Sequence, residues 1–121
     1  MAGKLSIAVQ QEMVFFEEAK KKIDHLHALI EQMAAAKIGQ VELMGPIGRA
    51  ATDVQRVLMN GGYGVMADSA NQITMNAKRG GGMNMKIRAF RELVNSIKAA
   101  MDTRIKVMIA EDKRKHDDLG G

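Results

Sequence analysis

Cysteine is absent from the 121 residues, and so is tryptophan. The first absence excludes a disulfide framework, thiolate zinc sites and cysteine nucleophiles together, and leaves no redox role for thiols. With one proline, one tyrosine and three phenylalanines, the chain lacks the aromatic and β-branched runs that sheets favour. No apolar run approaches the roughly eighteen residues that a membrane span needs, and only Leu5 to Val9 precede the polar Gln10 and Gln11, too short a stretch for a secretory leader. These absences predict a soluble, cytoplasmic protein with no membrane partner.

What the chain does contain is alanine, methionine, lysine and glutamate, the residues that helices favour. The expected fold class is therefore all-α, an antiparallel helical bundle. A chain of this size forms one core and buries roughly two-thirds of its unfolded surface. From Phe16 the apolar positions alternate by three and four through Ala19, Ile23, Leu26, Ile30 and Met33, a heptad seam. Glu17 with Lys21 and Glu18 with Lys22 place acid before base at i,i+4 on the outer face. This segment predicts a helix over about 6–37, roughly 48 Å long, with Gly39 ending it.

A rod of that length wants a long partner. Ile87, Phe90, Val94, Ile97, Met101 and Met108 mark one face of a second helix over about 85–113, widened by Leu93, Ala100 and Ile105 and interrupted by Arg104. Between the two lie shorter amphipathic segments. Ile47, Ala50, Val54, Val57 and Leu58 define one over about 47–60, after "MGPIG"; Met66, Ala70, Ile73 and Ala77 define another over about 65–79, after "NGGYG". The pattern admits either a three-helix bundle interrupted at Gly61–Gly64 or a four-helix bundle with a short central hairpin. It reads as a single domain, 1–121, ending in a frayed tail over about 116–121, "HDDLGG".

Motifs that could carry chemistry are few. His25 and His27 project about 200° apart on a helix and cannot share an ion, and the paired Glu-x-x-His motifs of a carboxylate-bridged metal bundle do not occur. No metal site or cofactor is expected. "GYGVMA", Gly62 to Ala67, loosely fits a dinucleotide loop, but that motif follows a strand, whereas "DVQRVLM" reads as amphipathic helix. The hydroxyl residues form no nucleophile elbow. Neither an enzyme nor a small-molecule substrate is expected.

Two features point instead to partners. Of the eleven methionines, Met59, Met66 and Met75 lie on the short middle helices, and adaptable thioethers suit a contact with another chain as well as a core, so these three are candidate oligomer contacts. The positive charge is also local: residues 78–106 carry eight cations against Glu92 and Asp102, a net +6, while the segments before and after each sum to −1. Lys78, Arg79, Lys86, Arg88, Arg91 and Lys98, around and beyond "KRGGG", are candidate anion- or partner-binding residues. Against this stands a plainer account, in which Lys78 and Arg79 favour the negative end of the preceding helix and the others form a solvated face. The sequence thus predicts a non-enzymatic structural or assembly protein, a homo-oligomer or a subunit of a larger complex. The alternative is a small basic nucleic-acid-binding protein using residues 78–106.

Overall fold

The computed structural model describes the backbone of residues 5–120 and the side chains of residues 5–115. Four helices account for nearly all of it: α1 (Ile7–Ala35), α2 (Met44–Asn60), α3 (Gly64–Lys78) and α4 (Met83–Gly120), with a 3-10 turn at Val41–Leu43 leading into α2. No strand occurs among the described residues. The protein is an all-α bundle of two long helices and two short ones. The middle segment is a hairpin rather than one interrupted helix, because α2 and α3 pack along each other and close a ring of contacts through α1 and α4.

Both predicted seams are buried. Phe16, Ala19, Ile23, Leu26, Ile30 and Met33 of α1 face Ile87, Phe90, Val94, Ile97, Met101 and Met108 of α4, with Ile47, Ala50, Val54 and Leu58 of α2 and Met66, Ala70 and Ile73 of α3 completing the core. The widening positions are covered less, Leu93 and Ile105 half-buried and Ala100 exposed. The long helices run antiparallel, as their cross-links show. Glu31 pairs with Arg91, Asp24 with Lys98, Glu12 with Arg104, and the Ser6 backbone N–H with Asp112, so one number falls as the other rises.

Helix ends differ from the expected ones for local reasons. The Ser6 hydroxyl accepts from the Val9 N–H at 3.3 Å and starts α1. At its other end α1 stops at Ala35, before Gly39, where the Gln40 side chain donates to the Met33 carbonyl at 3.0 Å and satisfies an end group. Helix α2 starts at Met44, ahead of Pro46. A proline in the first turn costs no hydrogen bond, since those N–H groups have no helical partner. Helix α4 continues to Gly120; the side chains of the expected tail, 116–121, lie outside the described residues. Among those described, neither Glu17 with Lys21 nor Glu18 with Lys22 closes into an ion pair.

The hairpin is shorter than the rods it packs on. Helices α2 and α3 have 17 and 15 residues against 29 and 38 for α1 and α4. Its tip, Gly61 to Tyr63, stops at the level of Phe15: the Tyr63 ring stacks on Phe15 with centroids 5.5 Å apart and meets Phe16 at 5.2 Å. Gly61 lies so close under the Phe15 ring that a Cβ there would overlap it, and Gly62 turns the chain at φ 85. Beyond this tip α1 continues for about two turns and α4 for about four.

Candidate functional site

The six candidate cations do not form one surface. Arg91 forks onto Glu31, with Nε and Nη2 each donating at 2.8 Å to one carboxylate oxygen. Those hydrogen bonds hold the Glu31 carboxyl below its ordinary value, the nearby Arg91 charge adding to them, and raise the Arg91 guanidinium in turn. Lys98 stands 3.5 Å from Asp24, and its ammonium donates to His27 Nδ1 at 2.7 Å. An ammonium has no lone pair to offer, so His27 accepts there and turns Nε2 toward Glu31, 3.9 Å away. The two cations deepest in the basic segment thus bind carboxylates of their own chain.

Lys86 is also engaged. Its ammonium donates to the Arg79 carbonyl at the end of α3, a charged group on the negative end of a helix. Lys78, Arg79 and Arg88 are exposed and form no ion pair among the described residues. Arg104, the residue that interrupts the α4 stripe, reaches the hairpin tip. Hydrogen bonding to Tyr63 raises its guanidinium, with Glu12 contributing, and the Tyr63 hydroxyl donates to Glu12 Oε2 at 3.3 Å. This three-residue bridge ties the tip to both long helices, and it needed a tyrosine 51 residues away from its glutamate.

The three methionines separate as well. Met66 is buried in the core, whereas Met59 and Met75 are exposed. Other large apolar side chains are exposed at the loop end, Ile38, Val41 and Met85, and at the start of α3, Val65. Past the hairpin tip, Ile7, Val14, Val107 and Ile109 are exposed, while Val9 and Met108 are buried. There the bundle is only two helices deep.

A groove of about 530 Å³ opens between α2 and α3, lined in part by Gly45, Gly48, Arg49, Thr52, Thr74 and Lys78. Its hydroxyls are already engaged: Thr52 donates to the Gly48 carbonyl at 2.9 Å and Thr74 to that of Ala70 at 3.4 Å. No buried side-chain nitrogen or oxygen among the described residues lacks a partner, and no group of carboxylates and histidines among them could hold a metal ion. No described helix is long and apolar enough to cross a membrane. Comparison with protein-family models, with curated proteins and with solved structures finds no match.

Proposed function

We propose that this chain is a non-enzymatic helical building block that associates with copies of itself and so builds a larger protein assembly. The observation that carries this reading is the unequal length of its helices. In the two-helix stretch only Val9 and Met108 are buried among the described apolar side chains, and the hairpin stops short of Ile7, Val14, Val107 and Ile109, which stay exposed. A second set of helices alongside that stretch would continue the bundle and remove its apolar side chains from water, at roughly 25 cal/mol per Å² of apolar surface covered. A cytoplasmic setting suits a cysteine-free chain.

Sedimentation across micromolar concentrations tests the reading. It expects a species heavier than the 13.2 kDa chain, its population rising with concentration. A monomer at every concentration overturns self-association. Within residues 78–106 the nucleic-acid alternative is left with Lys78, Arg79, Arg88 and Lys106, since Arg91, Lys98 and Arg104 are held by Glu31, Asp24 and Glu12 and Lys86 by a carbonyl. Three or four phosphate contacts would give a salt slope of about −2 to −4. Arg79→Glu with Arg88→Glu should leave folding nearly unchanged, because exposed charges contribute little. A steep, salt-dependent nucleic-acid affinity that this pair of changes abolishes would favour the alternative.

A further inference from the structure

One end of the bundle is basic and tipped with apolar side chains. Helices α1 and α3 end there and α2 and α4 begin there: Met44, Gly45 and Lys78 line one groove, and the Lys86 ammonium donates to the Arg79 carbonyl across the α3–α4 turn. The α1–α4 cross-links pair Asp24 with Lys98 and Glu31 with Arg91, and the same step sets the end of α1 beside the first turn of α4, where Met85 stands. Ile38 and Val41, in the connection from α1 to α2, are 89% and 74% exposed, and Met85 is 78% exposed. The segments that build this end, 36–49 and 76–88, contain six cations, Lys37, Arg49, Lys78, Arg79, Lys86 and Arg88, against one acid, Glu42. The rest of the chain sums to −1, so the whole excess of positive charge lies here. None of the six closes an ion pair among the described residues.

We infer that this end docks on an anionic lipid bilayer, with Ile38, Val41 and Met85 entering the headgroup boundary and the cations meeting the acidic headgroups around them. The charge decides the sign of the surface. Cations of one sign attract an anionic face and turn a basic partner away. The apolar tips decide its kind. Nucleic acid would meet the cations but leave three apolar side chains in water, and it would find no aromatic ring to stack on, since 36–49 and 76–88 contain none. An acidic protein face would have to offer a closely packed site to each of three side chains on separate turns, whereas the boundary of a bilayer takes them singly. Apolar insertion and electrostatic attraction add in such a contact. It is interfacial and asks for no long apolar run, and no described helix is long and apolar enough to cross a membrane. Docking by this end leaves the two-helix stretch, beyond the hairpin tip at the other end, free, so the contact does not depend on self-association.

Flotation with vesicles tests the contact. The chain should float with vesicles of phosphatidylcholine containing about one-third phosphatidylserine and not with phosphatidylcholine alone, and binding should fall as salt rises. Arg79→Glu with Arg88→Glu should weaken it about thirty-fold or more, and Ile38→Ser with Met85→Ser, which leaves every charge in place, about ten-fold or more. All four positions are exposed, so helix content by circular dichroism should not change. The absence of native cysteine also admits a single reporter. An environment-sensitive dye on Val41→Cys should shift to the blue on the anionic vesicles, whereas on Val65→Cys, exposed at the hairpin-tip end of α3, it should not. No flotation with the anionic vesicles at low salt overturns the proposal. Flotation that survives Ile38→Ser with Met85→Ser undiminished, or binding without a blue shift at Val41→Cys, reduces the contact to the attraction of a polycation and overturns it in favour of nucleic acid or an acidic protein face.

Discussion

Replacing Gly61 by alanine tests whether the hairpin tip is held by the Phe15 ring. A Cβ at Gly61 would lie 2.6 Å from Phe15 Cε2 and 2.8 Å from Cε1, and closer still to Cζ, so the ring must swing away. In doing so it gives up its stack on Tyr63, 5.5 Å apart and 20° between planes, and its edge contact with Phe16, also at 5.5 Å. Each aromatic pair contributes about 0.5–1.5 kcal/mol beyond its burial, so the two together lose roughly 1–3 kcal/mol. The backbone offsets part of this. Gly61 sits at φ −84, where alanine fits without strain, and the stiffer unfolded chain adds about 0.4–1 kcal/mol of stability. The net expectation is a loss of up to about 2.5 kcal/mol, read from urea unfolding midpoints at constant slope. In a Phe15→Ala background the overlap disappears, and Gly61→Ala should then stabilise by about 0.4–1 kcal/mol. A change of the same sign and size in both backgrounds would refute the contact.

Truncating Phe90, fully buried between the seams, to alanine should cost about 3–5 kcal/mol in the same assay, and a loss under about 1 kcal/mol would remove it from the core. Met66→Glu should abolish cooperative unfolding or cost more than about 3 kcal/mol, because it buries an unpaired carboxylate, whereas Met75→Glu on the exposed side of the same helix should change stability by no more than about 0.5 kcal/mol. The Glu31–Arg91 pair should be pH-dependent. The folded Glu31 carboxyl lies below its unfolded value, so its contribution is complete above about pH 4.3 and is lost as pH falls through the lower, folded value. The stability difference between the natural chain and Glu31→Gln should therefore be present at neutral pH and vanish on acidification; a difference that persists at low pH would dissociate Glu31 from Arg91.

Helical class and the faces of both rods were determined by the sequence alone. The periodicity of Phe16 to Met33 and of Ile87 to Met108 is local, and burying such a stripe has one solution whatever it packs against. The same holds for Met66, which shares its spacing with Ala70 and Ile73, so its burial was implicit in the pattern that also marked it as a contact residue. Only the tertiary structure decided the rest. Gly61 to Gly64 could have bent one helix or reversed the chain, since glycine permits both; the reversal is held by Phe15 and by Glu12, residues some fifty positions earlier. The destination of the cations was equally hidden. Arg91 and Lys98 have no acid of α1 near them in sequence, and only the antiparallel register of α1 and α4 brings Glu31 and Asp24 within reach. Periodicity states which face of a helix turns inward, a property of neighbours three and four residues apart. Which charge meets which, and how far a hairpin reaches along a rod, depend on the relative axial position of whole helices, which no local pattern encodes.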